Sequence, residues 1–179
     1  MKQLLHGTSI FLVGMMGTGK TTLGQLLAGR LGYRFFDTDV LIERVAETTI
    51  DKIFATEGEN YFRSLETKVL EQICAYTQSV IATGGGIILK LENWGYLHHG
   101  LIIWLDAPVE ILVQRLQEDR SRPLLKDGDL SEKLTILLAE RRSLYAQADL
   151  HIAIARSQQT PQEIVEEILD RIPSVLKRK

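Results

Sequence analysis

The 179-residue sequence predicts an α/β fold in which a five-stranded parallel sheet is covered by helices on both faces. Short apolar segments of strand length alternate with segments whose apolar residues recur at helical spacing. Continuous apolar runs of this kind are typical of strands buried on both faces, as parallel strands are. Glycine or carboxylate clusters follow three of the predicted strands, at the sheet edge where ligands of such folds bind.

Each element has a local pattern that predicts it. Strands are predicted where branched and aromatic apolar residues cluster: Thr8–Val13, Arg34–Phe36, Ser79–Thr83, Leu101–Leu105 and His151–Ile154. Helices are predicted where apolar residues recur every three or four positions: Lys20–Leu31, Val40–Val45, Glu59–Ala75, Val109–Leu116, Leu130–Tyr145 and Pro161–Ile172. Gly32 is placed to end the first helix, and Pro161 suits the first turn of the last.

Length and composition exclude several classes of protein. The length is that of one ordinary domain, so residues 1–179 are predicted to form a single one. A content of 45% hydrophobic and 25% charged residues argues against a disordered chain. The net charge of −2 gives no general positive field for nucleic acid, and no apolar run reaches the ~20 residues of a membrane span. A single cysteine permits no internal disulfide, which predicts a reducing, cytoplasmic location.

The segment Gly14–Thr21 has the spacing of a phosphate-binding loop: Gly, four residues, Gly-Lys, then Ser or Thr. Its glycines let successive backbone N–H groups point at phosphate oxygens, and the following helix adds the positive end of its dipole. Lys20 would reach the outer phosphates, and the Thr21 hydroxyl would bind Mg²⁺. The alternative is a glycine-rich turn with an accidental lysine. The position between a predicted strand and a predicted helix favours nucleotide binding.

Asp37 and Asp39 lie at the end of the second predicted strand. One residue separates them, so in an extended chain both carboxylates would face the same side. They would suit Mg²⁺ and its water ligands, or a substrate hydroxyl that needs a proton acceptor. The alternative is a helix cap, for which Thr38 or Asp39 would accept hydrogen bonds from the following turn.

Two arginines are candidates for binding an anionic ligand. Arg141 lies on an otherwise apolar stripe of its predicted helix, where a guanidinium is costly unless it meets an anion. Arg63 lies beside a second apolar stripe, with Glu66 three residues further on to hold its guanidinium. For both arginines the alternative is an internal salt bridge or an exposed side chain. For Arg63 considered by itself, that alternative is favoured.

Two further segments have the composition of ligand-contacting loops. Gly84–Gly86 follows the third predicted strand, and its N–H groups could contact a small substrate; a plain turn is the alternative. Asp119–Asp129 is polar, contains proline and glycine, and lies between two predicted helices. That composition suits a mobile lid whose arginines meet the nucleotide, and equally a plain surface loop.

The set GMMGTGKTT, FFDTD, YFRSLE, ATGGG, RSRPLL and ERRSLY, in this order, resembles the shikimate kinase family. The resemblance runs from Ile10 to Ile168. It implies a three-layer P-loop kinase fold with a mobile lid near residues 117–129 and a helical substrate-binding region near residues 38–66. It also implies transfer of the ATP γ-phosphoryl group, with Mg²⁺, to the 3-hydroxyl of shikimate, giving 3-phosphoshikimate and ADP in aromatic amino acid biosynthesis.

The resemblance also implies roles for individual residues. The residues that it places on the ATP phosphates are Gly17, Thr18, Gly19, Lys20, Thr21 and Thr22, with Arg122 of the lid over the nucleotide. Lys20 and Asp39 are the implied catalytic residues. Asp39 is implied to hydrogen-bond the substrate hydroxyls, and two roles stay open for it: accepting the hydroxyl proton or only orienting the hydroxyl. Thr21 and Asp37 are implied at the metal, Asp37 by orienting its water ligands. Arg63, Arg141, Gly85 and Asp39 are implied to bind shikimate.

A few positions depart from the family pattern or are not placed by it. Met15 and Thr18 stand where many members have proline or alanine, which leaves the glycine and lysine pattern intact. Arg142 follows Arg141 directly, and the apolar stripe and the spacing to Tyr145 favour Arg141 as the pocket residue. A further nucleotide contact is expected near residues 156–159.

The expected partners are shikimate and ATP, with no nucleic acid and no membrane, and the expected state is a monomer. Two other functions stay open on the sequence. One is a small P-loop kinase that acts on a nucleoside monophosphate or a sugar acid. The other is a non-catalytic binding module of the same fold. A non-catalytic binding module would be expected to have a damaged phosphate loop or to lack the acceptor carboxylate, whereas Lys20 and Asp39 are both present.

Overall fold

The computed structural model describes residues 2–117, 129–154 and 159–176. Within them the strands are β1 Ile10–Val13, β2 Arg34–Asp37, β3 Ser79–Ala82, β4 Leu101–Asp106 and β5 Leu150–Ala153. The helices are α1 Lys2–Leu5, α2 Lys20–Leu31, α3 Thr38–Ala46, α4 Ile50–Thr56, α5 Gly58–Cys74, α6 Leu91–Leu97, α7 Val109–Leu116, α8 Leu130–Tyr145 and α9 Pro161–Leu176.

The five strands form one parallel sheet in the order β2-β3-β1-β4-β5. All residues of β1 and β3 are buried, because the sheet is covered on both faces. Helices α2 and α9 pack against each other and against the sheet, whereas α5, α6 and α8 surround a short 3₁₀ turn at Ile87–Leu89. The predicted fold class, a five-stranded parallel sheet with helices on both faces, is confirmed.

The sheet order sets the position of the site. The central strand β1 lies between β3 and β4, and the chain leaves its carboxyl end directly into the predicted phosphate loop. Asp37 ends β2, and Gly84–Gly86 follows β3 after one residue. Because the carboxyl ends of parallel strands lie at the same edge of the sheet, all three segments meet there. This is the edge at which ligands of open α/β sheets bind.

Several boundaries differ from the prediction. The first strand begins at Ile10, two residues after the predicted start. Ser9, just before it, bonds to neighbouring segments: its backbone carbonyl accepts from Leu101 N, and its hydroxyl donates to Tyr76 O. Helices α1, α4 and α6, of four to seven residues each, were not predicted from helical spacing, although the family resemblance implies a helical region near residues 38–66, in which α4 lies.

In the described part of the chain, no helix has the length and apolar character needed to cross a membrane. That residues 1–179 form one domain stays a prediction.

Candidate active site

The phosphate loop between β1 and α2 is held in shape by its own bonds. Gly14 has φ +143°, and a side chain there would collide with the Leu105 carbonyl of β4. Lys20 folds back over the loop, its Nζ donating to the carbonyls of Gly14 (2.9 Å) and Met15 (2.8 Å). The Thr18 hydroxyl donates to Met15 O at 2.8 Å, and Thr18 is buried. Thr18 therefore holds the loop with its side chain and offers a ligand only its backbone.

Asp37 joins the phosphate loop to the next segment of the site. Its Oδ2 accepts from the Thr21 hydroxyl at 2.6 Å, and its Oδ1 accepts from the backbone N–H of Asp39 at 3.0 Å. The structure corrects two expectations here. Asp39 lies in the first turn of α3 rather than in an extended chain, and the residue that caps this helix is Asp37, not Thr38 or Asp39. Because Asp37 is the cap, α3 begins at Thr38, two residues before its predicted start.

Arg63 has two carboxylate partners on its own helix, α5. Its Nη1 lies 2.8 Å from Glu66 Oε2, and its Nη2 lies 3.0 Å from Glu59 Oε1. The internal salt bridge that sequence reasoning kept as an alternative is therefore present. Arg63 also borders the central cavity, so the two interpretations coexist. The carboxylates align the guanidinium and leave part of it facing the cavity.

Arg141 on α8 has a different environment from its neighbour Arg142. Arg141 is 5% exposed, borders the cavity, and forms no ion pair within the described residues. Arg142 points away, where its Nη2 lies 3.1 Å from Asp106 Oδ2 and its side chain is 55% exposed. The structure thus places Arg141 in the pocket and Arg142 at the surface, as the apolar stripe predicts.

The triple glycine passes close to the carboxylates of Asp39 and Glu66 and to the guanidinium of Arg63. A Cβ at Gly84 would lie 2.6 Å from Glu66 Oε1 and 2.9 Å from Asp39 Oδ1, and a Cβ at Gly86 would collide with the Arg63 guanidinium. Only a backbone without side chains fits this space. Gly84 N donates to the Thr38 hydroxyl at 2.9 Å, which ties the segment to α3.

Glu66 is fully buried at the centre of these charges. Burial raises the pKa of its carboxyl, and the neighbouring Asp39 acts in the same direction, whereas Arg63 and Arg141 oppose the shift. Its Oε1 has no hydrogen-bond partner among the described residues. The site therefore contains a carboxylate whose charge depends on the two arginines around it.

These residues border two cavities that meet. The larger, of about 480 Å³, is bordered by both arginines, Glu66 and the triple glycine, and its outer wall is formed by α3, α4 and α5. The smaller, of about 260 Å³, is bordered by the phosphate loop, Lys20 and Thr22. The residues that border both are Met16, Thr21, Asp37, Asp39 and Gly85. One crevice thus connects the loop with the two arginines.

The structure also places in or beside the site three residues for which the sequence predicted no role there. Thr38 anchors the triple glycine, and the Tyr145 hydroxyl donates to Gly85 O at 2.5 Å. Arg115 on α7 borders the smaller cavity and donates to Gly17 O at 3.1 Å. Thr38 and Tyr145 fall within the family-like segments FFDTD and ERRSLY, and this position is the sequence signal that could have indicated them. No pattern in the sequence indicated Arg115.

Two sequence predictions lie outside the described residues. Arg122 and most of the predicted lid at 117–129 belong to the segment that is not described. The same is true of the expected nucleotide contact near residues 156–159, of which only Gln159 is described.

Comparison with known proteins identifies the family. A family model described as shikimate kinase matches residues 16–173. The shikimate kinase of Microcystis aeruginosa is 60% identical, over 97% of this chain and 90% of its own length. The chain belongs to the shikimate kinase family. The shikimate kinase of Rippkaea orientalis is 57% identical over 99% of this chain and 95% of its own length. A solved structure of the enzyme from Acinetobacter baumannii in complex with shikimate has a TM-score of 0.90 and 40% identity, covering 97% of both chains.

Membership confirms the resemblance seen in the sequence and the P-loop kinase fold. Shikimate kinases are ATP-dependent kinases, so the chain is a member of a family of phosphotransferases.

The donor atoms at the loop fit a magnesium ion brought in with the nucleotide. No group of three His, Cys, Asp or Glu residues forms a metal cage within the described ranges. The Thr21 hydroxyl and the Asp37 carboxylate instead offer two hard oxygen ligands at the edge where the cavities meet. Mg²⁺ is typically bound by one or two protein oxygens together with phosphates and water. This pair therefore suits Mg²⁺–nucleotide rather than a metal held by protein alone.

Proposed function

We propose that the protein transfers the γ-phosphoryl group of ATP to the 3-hydroxyl of shikimate, giving 3-phosphoshikimate and ADP. The observation that carries the proposal is the single crevice bordered by a phosphate loop at one end and by Arg63 and Arg141 at the other. Phosphoryl transfer depends on placing donor and acceptor in line and on stabilising the charge that develops, rather than on covalent help.

On the nucleotide side, the N–H groups of Gly17–Thr22 and the positive end of the α2 dipole would bind the phosphates. Lys20 is already held over the loop by the Gly14 and Met15 carbonyls, so its ammonium is positioned before a nucleotide arrives. Such a prearranged charge stabilises the transition state without reorganisation. Thr21 and Asp37 would hold Mg²⁺, which when bound neutralises phosphate charge. Arg122 would close over the nucleotide.

On the acceptor side, Arg141 and Arg63 would bind the shikimate carboxylate. Arg141 is buried and forms no salt bridge among the described residues, so its guanidinium can still donate to an anion in the cavity. Arg63 would add a second, prealigned guanidinium. Gly85 would contribute a backbone contact. Fixing the carboxylate at this end directs the hydroxyls of the acceptor towards the loop.

Asp39 would receive the proton of the attacking hydroxyl. It borders both cavities, so it lies where the acceptor hydroxyl and the γ-phosphate would meet. In the transfer, the 3-oxygen forms a bond to the γ-phosphorus, the bond from that phosphorus to the bridging oxygen of ADP breaks, and the hydroxyl proton passes to the Asp39 carboxylate. We further propose that the enzyme acts as a cytoplasmic monomer without nucleic-acid or membrane partners, in keeping with its charge and composition.

The test is ADP release by the purified protein with Mg·ATP and one of three acceptors: shikimate, a nucleoside monophosphate or gluconate. The proposal predicts turnover with shikimate alone. Turnover only with another acceptor would favour the rival small kinase. ATP binding without turnover on any acceptor would favour the binding module. Lys20→Ala serves as the control, because its loss of turnover shows that ADP release comes from this site.

A further inference from the structure

Tyr145 lies directly behind the acceptor side of the crevice without bordering it. The residue is fully buried at the end of α8, one helical turn after Arg141. Its ring stacks on Trp104 of β4, with centroids 5.9 Å apart and planes inclined by 17°. Its hydroxyl donates to Gly85 O at 2.5 Å and lies 3.7 Å from Met15 Sδ of the phosphate loop. One hydroxyl therefore contacts both the triple glycine and the loop.

Burial raises the pKa of Tyr145 to about 12, and the charge of Arg141, one helical turn earlier, acts against the rise. The phenol thus stays protonated at neutral pH, with its proton committed to the Gly85 carbonyl. One hydrogen bond therefore connects the end of α8 to the backbone of Gly85.

The triple glycine needs such an external restraint. Glycine has the largest backbone freedom of any residue, so three in succession adopt no single conformation by themselves. Three bonds restrain the segment from nearby: Gly84 N donates to the Thr38 hydroxyl, Gly84 O accepts from Ile87 N, and Gly86 O accepts from Leu89 N. The carbonyl of Gly85, the central residue, is restrained by Tyr145.

We propose that Tyr145 is a positioning residue that holds the backbone of Gly85 for the acceptor, through its hydrogen bond to the Gly85 carbonyl. The inference rests on the proposed function, since it concerns the acceptor that Gly85 would contact. Tyr145 is not a catalytic residue, because its full burial keeps it from touching the substrate. Its loss should affect acceptor binding more than nucleotide binding, because its hydroxyl lies 2.5 Å from Gly85 O but only makes a 3.7 Å sulfur contact to the phosphate loop.

The test compares Tyr145→Phe with Tyr33→Phe. Tyr33 is also a buried tyrosine, at the opposite edge of the sheet just before β2, and its hydroxyl has no hydrogen-bond partner among the described residues. For Tyr145→Phe we expect the KM for shikimate to rise roughly fivefold, as for the loss of one hydrogen bond between neutral groups, with the KM for ATP changed less than about twofold. Tyr33→Phe should leave both KM values unchanged.

The proposal is contradicted if Tyr145→Phe leaves the shikimate KM at the wild-type value, or if both KM values rise together, as general loosening would cause. Should the phenylalanine variant not fold, p-fluorophenylalanine at position 145 replaces it, since it keeps the ring and fills the para position but donates no hydrogen bond to Gly85. A shikimate KM raised about threefold or more with an unchanged ATP KM then supports the proposal, and a smaller rise contradicts it. A wild-type protein that does not phosphorylate shikimate removes the proposed function and this inference with it. An active wild type with an unaltered variant removes the inference alone.

Discussion

The nucleotide side of the crevice is formed by one continuous segment, Gly14–Thr22, whereas the acceptor side is assembled from four separate parts of the chain. The loop holds its shape mainly through bonds between residues three to six positions apart, such as Lys20 to Gly14 O, with one distant bond from Arg115 to Gly17 O. The acceptor side depends on contacts across 46 and 60 positions, from Gly84 to Thr38 and from Tyr145 to Gly85. A local motif therefore specifies one half of the site, and the tertiary fold specifies the other.

The difference implies that the two halves respond differently to mutation. Changes on the acceptor side should alter the KM for shikimate more than the KM for ATP, because they remove contacts that hold the acceptor side and leave the bonds within the loop in place. Residues on the boundary, which border both cavities, should affect turnover itself.

Asp39 on that boundary should give the largest effect. Asparagine keeps the size of the side chain but replaces one acceptor oxygen by an NH₂ donor and cannot accept the hydroxyl proton, so Asp39→Asn should lower kcat about 10²–10⁴-fold. Both KM values should stay close to those of the wild type. The measurement is kcat at saturating substrates across a pH series, in which the variant should also lose the acid limb of the wild-type profile. A kcat within tenfold of wild type, with an unchanged profile, would mean that Asp39 only orients the hydroxyl.

Arg141→Ala should break the acceptor side while leaving the loop intact. Removing a buried guanidinium that meets the carboxylate should cost roughly 2–5 kcal/mol in kcat/KM for shikimate. The neighbouring Arg142→Ala is the matched control, because Arg142 is exposed and faces Asp106 instead of the cavity. Steady-state kinetics of both variants checks the prediction. An unchanged KM for shikimate in Arg141→Ala would refute the assignment of this arginine.

Gly84→Ala should test how closely the acceptor side is packed. A methyl group there would lie 2.6 Å from Glu66 Oε1, so the backbone or both carboxylates must shift. We expect a loss of about 1–3 kcal/mol in the free energy of unfolding, with weaker shikimate binding. Gly29→Ala is the control: nothing lies within 4 Å of its added methyl group, and alanine in helix α2 should stabilise the protein by about 0.5–1 kcal/mol. Denaturant unfolding of both variants gives the two values; equal effects would show that the space around Gly84 is not restrictive.

Much of the fold and half of the site could be predicted from the sequence. The loop was found because its spacing is local, and Arg141 because a charge interrupts an otherwise apolar stripe. The predicted geometry of Asp37 and Asp39, with both carboxylates on one side of an extended chain, was wrong. A helix begins between them, so the strand periodicity does not continue to Asp39. Helix α4 of the outer wall was not predicted from apolar spacing and was implied only by the family resemblance, which gives a helical region near residues 38–66. The Tyr145–Gly85 contact joins residues 60 positions apart, and no local pattern indicates it.

Glu66→Gln should give the smallest kinetic effect, because the amide oxygen can still accept from Arg63, and its distinctive sign is a change of stability with pH. Burial raises the pKa of Glu66 above its ordinary value of 4.5, so the folded protein holds this proton more tightly than the unfolded chain. The stability that this group contributes is therefore fully present below pH 4.5 and is lost as the pH rises through the raised folded-state value. The wild type should lose stability relative to Glu66→Gln over that interval. Unfolding free energies at several pH values check this; a difference that is constant with pH, or that changes in the opposite sense, would contradict it.

The most direct test of a shared crevice is a crystal structure of the protein with shikimate and a non-hydrolysable ATP analogue bound together. The account predicts that the shikimate carboxylate lies against Arg141 and Arg63. It also predicts that the 3-hydroxyl oxygen lies beside Asp39, roughly 3–3.5 Å from the γ-phosphorus and in line for attack. A carboxylate bound away from Arg141, or a 3-hydroxyl turned away from the phosphate chain, would contradict the account.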